Sequence, residues 1–281
     1  MTNSVEDEQS GNRSINYSSR PELTVAMVSM NNPLNVRKTL NSLLPLQNEN
    51  IAIIVIDSSI NSNIEIICEE FKRYFNINYF YTAPRGVYNA MNVAIDKSND
   101  DSYIWFLNPG DVLVNSKVTF ILINKINESG FEWGFAQAQN DMPQHKVIYP
   151  VTIGDFLAKD IALGVTQVSH QSIITKTSTL KRLGKFDEKF VIASDLKLIL
   201  KLADLEFSYM KEIFVRIDLE GLSNQRPITT ILESNYIVYV AGFRGRFKTL
   251  MNVVKSLLIL LYGNAMKKLA TLIKQLIHYE K

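Results

Sequence analysis

Cys68 is the only cysteine among 281 residues, so the chain has no partner for an internal disulfide and no multi-cysteine zinc or iron–sulfur site. A reducing cytosol is the natural compartment for such a composition, and Cys68 itself reads as a buried apolar residue. Three histidines, His145, His170 and His278, stand without paired spacing, which argues against a histidine zinc site. Neither G-x-x-x-x-G-K-[ST] nor G-x-G-x-x-G occurs, which argues against a P-loop nucleotidase and a dinucleotide oxidoreductase. The G-x-S-x-G elbow is missing as well, so any chemistry falls to carboxylates. No uncharged apolar run reaches the roughly 18–20 residues of a spanning helix, because Lys255 interrupts the best one.

What is present is an ordinary globular composition, 46% apolar and 21% charged. The formal net charge of +2 hides an asymmetry: residues 241–281 carry eight Lys or Arg against Glu280 alone. Residues 1–20 are polar, rich in Ser and Asn and without the apolar run of a secretory signal, and read as a disordered leader. From Leu23 short β-branched runs alternate with stretches of helical period, the pattern of β-α-β units and a mostly parallel sheet.

The spacing predicts strands at Leu23 to Ser29, Ile51 to Asp57, Ile77 to Tyr81 and SYIWFL, the last stopping at Asn108-Pro109-Gly110-Asp111. Helices are predicted between them, one opened by Asn31-Asn32-Pro33, one over about 64–74 and one over VYNAMNVAID. Further strands are expected near Gly134 to Ala138 and Val147 to Tyr149, and helices before Gly184, from Ser194 to about Ala203, and beyond Ile228. In open α/β sheets ligands bind at the carboxyl ends of the strands, which is where Ser29, Asp57, the Arg85 turn and Asp111 fall.

Taken singly, these acids leave two readings each. Asp57 is a ligand contact or a turn cap. Asp111, after a proline and a glycine, is a carboxylate for a hard cation or the cap of the next helix. Asp195 is a proton acceptor or a first-turn acid facing the helix dipole. His170 is a buried structural histidine or a contact to ligand.

The blocks LTVAMVSMNN, IAIIVIDSSINSN, PRGVYNAMNVAI, YIWFLNPGD and SHQSIITKTSTLKRLGKFDEKFVIASDLKLILKLA, with a weaker one at GLSNQR, resemble a family 2 glycosyltransferase of the GT-A fold. GVYNAMN followed by FLNPGD is the most specific pair, and is similar to enzymes of the colanic acid and other bacterial surface polysaccharide types. The resemblance implies an inverting transfer of a sugar from a nucleotide-diphosphate sugar to a glycan hydroxyl, the acceptor being a lipid-linked oligosaccharide. It implies that Ser29 and Asn31 line the nucleotide pocket, that Asp57 bonds the base, and that Arg85, Gly86 and Asn92 face base, ribose and diphosphate, with Asn108 beside them. It implies Mg²⁺ or Mn²⁺ on Asp111, the last acid of a D-x-D motif of which Asn108-Pro109-Gly110-Asp111 keeps nothing else. Asp195 takes the place of the catalytic base, with His170 and Gln171 on the acceptor and diphosphate side.

This divides the chain into a leader at 1–20, a GT-A catalytic domain at 21–227 and a basic helical region at 228–281. Aliphatic residues mixed with Lys and Arg suit an amphipathic helix on an anionic membrane surface, the alternatives being the catalytic domain or a second protomer. Nucleic acid is disfavoured, for no stacking aromatics interleave the basic residues. The expected place is the cytoplasm, peripheral on the inner face of the membrane. Two other classes stay open: a catalytically silent sugar-nucleotide or glycan binding protein, and a sugar-phosphate nucleotidyltransferase, although the loop MNNPLNVRK lacks the glycines the latter uses.

Overall fold

The computed structural model describes residues 22–141, 146–150, 157–218 and 221–279; the leader at 1–20 lies outside them. Four strands and three helices alternate first: β1 (Leu23–Ser29), α1 (Pro33–Leu43), β2 (Ile51–Asp57), α2 (Asn63–Phe71), β3 (Asn76–Tyr81), α3 (Val87–Lys97) and β4 (Tyr103–Phe106). Then follow β5 (Val112–Leu113), α4 (Ser116–Ser129), β6 (Trp133–Asp141), β7 (Lys146–Tyr149), α5 (Leu157–Leu163), β8 (Ile173–Lys176), α6 (Thr177–Arg182) and α7 (Ser194–Ala203). The chain closes with β9 (Ser208–Ile217), α8 (Leu222–Gln225), α9 (Pro227–Val240) and α10 (Arg246–Tyr279).

Among the described residues one sheet holds all nine strands, in the order β3-β2-β1-β4-β8-β6-β9-β5, with β7 on β6. It is parallel from β3 to β4, and the predicted strands there match those formed. Beyond β4 it is mixed: β8 is antiparallel to both β4 and β6, β9 is parallel to β6, and β5 is antiparallel to β9.

β1 and β2 are buried along their whole length because helices cover both faces. Alternate residues point to opposite faces. Val25, Met27, Ile53 and Val55 pack with Leu40 of α1 and Ile64 of α2, while Ala26, Val28, Ile54 and Ile56 pack with Met91 of α3 and Leu198 of α7. Ile237 and Val238 of α9 belong to that second core, so α9 is packed into the same body as the sheet. Trp105 of β4 stacks on Phe214 of β9 at 4.5 Å, joining the parallel and mixed halves. Such a pair adds about 0.5–1.5 kcal/mol beyond its buried area.

Candidate active site

Two adjoining cavities open at the carboxyl ends of β1 and β4, sharing Val28, Val87 and Tyr88 as their common wall. The larger, about 620 Å³, is lined by Ser29, Arg85, Gly86, Glu188, Gln225 and Arg226 among others. The smaller, about 390 Å³, is lined by Asn108, His170, Gln171, Asp195 and Asp218. Of the residues singled out in the sequence, Ser29, Arg85, Gly86, Asn108, His170, Gln171 and Asp195 therefore meet at two joined cavities.

Asp195 opens α7 in its first turn and faces the smaller cavity. Its Oδ1 accepts from the Leu196 amide at 2.9 Å and lies 3.1 Å from the Tyr88 hydroxyl; its Oδ2 lies 3.1 Å from His170 Nδ1. Burial pushes this carboxyl up, but the hydrogen bonds from His170, the Leu196 amide and Tyr88 outweigh it and hold it below the usual aspartate value. The first-turn position also suits a negative charge at the helix dipole, so both sequence readings of Asp195 apply to one group.

His170 sits in a single 3-10 turn fixed by Trp105, whose indole N–H donates to the Gln171 carbonyl at 2.7 Å. Asn108 Nδ2 lies 3.3 Å from His170 Nε2. An amide NH₂ can only donate there, so Nε2 is the acceptor and Nδ1 carries the proton offered to Asp195. Asn108, His170 and Asp195 thus form one directed chain across the smaller cavity.

Around the larger cavity Ser29 is buried and its hydroxyl has no hydrogen-bond partner. Gly86 precedes α3 at φ +104°, a conformation that favours glycine, and lets the chain turn into the helix beside Arg85. Arg85 and Arg226 both line this cavity and are exposed. Glu188 faces them, held by Asn92 Nδ2 at 2.8 Å and Asn89 Nδ2 at 3.0 Å, and those two bonds lower its pKa.

Four expected residues are placed otherwise. Asp57 is fully buried, its oxygens taken by the Ser59 amide and hydroxyl at 2.9 and 2.6 Å and by the Tyr79 hydroxyl at 3.0 Å. It caps the turn after β2 instead of facing a base. Asn31, at φ +56°, lies outside the cavity lining, and its amide donates to Ser59 Oγ. Asn92 spends its amide group on the Phe186 backbone and Glu188, which pins α3 to the loop before α7. Asp111 is 1% exposed, and its two oxygens accept the amides of Asn108 at 3.0 Å and Asp218 at 2.8 Å.

Thr39 fixes the same turn, accepting from the Gly110 amide and donating to the Asp111 carbonyl, each at 2.8 Å. Gly110 has φ +101°, and a Cβ there would meet Asp218 Oδ2 at 2.4 Å. Asp218, at the end of β9, is thus pressed against the turn and is the carboxylate that lines the smaller cavity beside it.

Residues 24–149 match the family model described as Glycosyl transferase family 2. Over that stretch, which is under half of the chain, it is similar to family 2 glycosyltransferases. No curated protein matches it. Among solved structures the chain is similar to S. aureus TarS 1-349 in complex with UDP-GlcNAc, at 16% identity and a TM-score of 0.60, covering 82% of this chain and 69% of that one. It is also similar to the mannosyltransferase PcManGT from Pyrobaculum calidifontis in complex with GDP-Man and Mn²⁺, at 14% identity and a TM-score of 0.59, covering 91% and 80%. Against the longer S. aureus TarS chain it covers 82% of its own length but spans only 41% of that protein. At these identities the likeness speaks for the fold, which is GT-A.

A divalent cation at Asp111 would rest on that one protein carboxylate and on the diphosphate oxygens of a bound nucleotide sugar. That carboxylate is turned to two backbone amides, and among the described residues no three His, Cys, Asp or Glu side chains converge on one point. Burial also raises the Asp111 pKa to about 6, against the opposing pull of the Asp218 amide, His170, the Asn108 amide and Gln171. The sequence reading missed Asp218, Glu188, Tyr88 and Arg226. Tyr88 lies inside GVYNAMN and Arg226 ends GLSNQR, so both were in view as motif letters without a role.

Proposed function

We propose that this protein is a glycosyltransferase that moves a sugar from a nucleoside-diphosphate sugar to a hydroxyl of a glycan, with inversion at the anomeric carbon. The observation that carries this is Asp195: an ionised carboxylate, oriented by His170, Tyr88 and the Leu196 amide, facing a cavity that adjoins a larger one flanked by two arginines. The nucleotide and diphosphate occupy the larger cavity and the sugar and acceptor the smaller. In one displacement Asp195 takes the acceptor hydroxyl proton, the freed oxygen bonds to the anomeric carbon from the face opposite the leaving group, and the bond to the diphosphate breaks. The leaving group departs as a nucleoside diphosphate.

Charge that develops on the leaving oxygen needs preorganised positive groups. Arg85 and Arg226, with the amino end of α3 between the cavities, supply them in this chain.

The acceptor we infer is a lipid-linked oligosaccharide of bacterial surface polysaccharide synthesis, handled at the cytoplasmic face of the membrane. The GVYNAMN and FLNPGD pair and the buried lone Cys68 support this reading. The test is Asp195→Asn against wild type with a panel of UDP-, GDP- and dTDP-sugars. Turnover is expected to fall about 10²–10⁴-fold with donor binding kept. Unchanged turnover would remove Asp195 as the base, and release of pyrophosphate in place of nucleoside diphosphate would make the enzyme a nucleotidyltransferase.

A further inference from the structure

Helix α10 is built inside out over its first half. At 100° per residue, Thr249, Asn252, Val253, Ser256, Leu257 and Leu260 share one side, and Phe247, Met251, Val254, Leu258, Leu261 and Tyr262 share the other. The first set, with its three polar members, is half-buried where α10 packs on α9. Asn252 donates to Asn235 Oδ1 of α9 at 2.8 Å, and Arg244 donates to the same oxygen at 2.8 Å. The second set, wholly apolar or aromatic, is exposed, from 44% at Val254 to 74% at Phe247. Surface helices of water-soluble proteins show the reverse arrangement. α9 extends the same surface with Ile228, Leu232, Tyr236 and Tyr239, spaced at one helix turn and exposed.

The charge around this seam selects its occupant. Residues 234–279 hold no acid and seven bases, and Lys248 and Lys255 are exposed along the edge of the apolar side. A second copy of the chain would set these basic rims against one another. The leader is polar and offers too few apolar residues to fill the seam. An anionic lipid surface answers both features, taking apolar side chains into the acyl boundary and basic ones at the headgroups.

We propose that the α9–α10 hairpin docks the protein on an anionic membrane surface through this seam. The hairpin lies in the plane of the interface, and among the described residues no helix is long and apolar enough to cross. It begins at Pro227, next to Arg226 on the wall of the larger cavity, so docking holds the cavity mouth close to the lipid headgroups. The inference stands on the hairpin alone and does not depend on the transfer reaction.

The test is flotation of the full chain with vesicles of phosphatidylcholine, alone or mixed with phosphatidylglycerol, at low and high salt. Binding is expected only with phosphatidylglycerol and is expected to weaken with salt. Lys248→Ala with Lys255→Ala is expected to weaken it about thirtyfold, and Val254→Glu with Leu258→Glu to abolish it. All four positions are exposed or half-exposed on the helix surface, so an unchanged melting temperature marks each variant as folded. No vesicle binding, equal binding to both vesicles, or a solution dimer that Val254→Glu with Leu258→Glu dissociates would each overturn the proposal.

Discussion

His170 Nδ1 stands 3.1 Å from Asp195 Oδ2 while its other ring nitrogen faces Asn108 at 3.3 Å, so the imidazole is held between an amide donor and the carboxylate that faces the smaller cavity. This arrangement fixes one tautomer and aims its proton at the proposed base.

His170→Ala removes that support. The Asp195 carboxyl then keeps its burial and loses the largest interaction that opposes it, so its pKa rises. A base with a lowered pKa loses activity only as the pH falls through that low value. In the variant the acid limb of the kcat profile is expected to move up toward or past the ordinary aspartate value near 3.9, with kcat at neutral pH down about tenfold or more. A profile that keeps its wild-type acid limb would deny the coupling.

Asp111 titrates with the opposite sign. Its folded pKa is raised to about 6, so the native state binds its proton more tightly than the unfolded chain does. The stability it contributes is full below the unfolded value and is lost as pH rises through about 6. Urea unfolding of wild type and Asp111→Asn at pH 4 and pH 7 is the measurement. The difference between the two proteins is expected to change by up to about 3 kcal/mol across that window.

Arg85 and Arg226 carry the diphosphate in the proposed mechanism. Each alanine variant is expected to weaken nucleoside-diphosphate binding by about tenfold or more, with nucleoside binding little altered. Titration calorimetry in the presence of EDTA completes the comparison: chelation is expected to cost less affinity than the loss of either arginine. A larger loss on chelation would return a cation to the centre of donor binding.

Glu233 of α9 accepts the amides of Val191, Ile192 and Ala193 at 2.8, 2.9 and 3.0 Å. The Ile192 carbonyl in turn accepts from Tyr88, and Asp195 follows two residues after Ala193. Glu233 is therefore a positioning residue for the proposed base, reached from a helix beyond every motif. Glu233→Ala is expected to lower kcat about tenfold or more at a temperature where the variant is folded, and Glu233→Gln to recover part of it. A change in melting temperature alone would make the clasp merely structural.

The parallel half of the fold was legible because strands covered on both faces must be apolar throughout, as LTVAMVS and IAIIVID are. β9 was not, since Lys211, Glu212 and Arg216 break its apolar pattern where one side meets solvent, and β5 has only two residues. At the site, spacing put Ser29 and the Arg85 turn at strand ends, and the roles of Asn108, His170 and Asp195 came from the resemblance to family 2 glycosyltransferases. Spacing could not tell that both oxygens of Asp57 and Asp111 are engaged, because one oxygen of each finds its partner far along the chain, at Tyr79 and at the Asp218 amide. Asp218 itself had no motif around it and became visible only when β9 brought it to the turn.

The contact between Gly110 and Asp218 carries a consequence for the lineage of this chain. Any side chain at 110 strikes the carboxylate at 218, and the 218 amide in turn holds Asp111. The two positions are therefore bound into one historical unit: a descendant that gains a side chain at 110 must strain its backbone there and, at once, shorten or swing aside the side chain at 218.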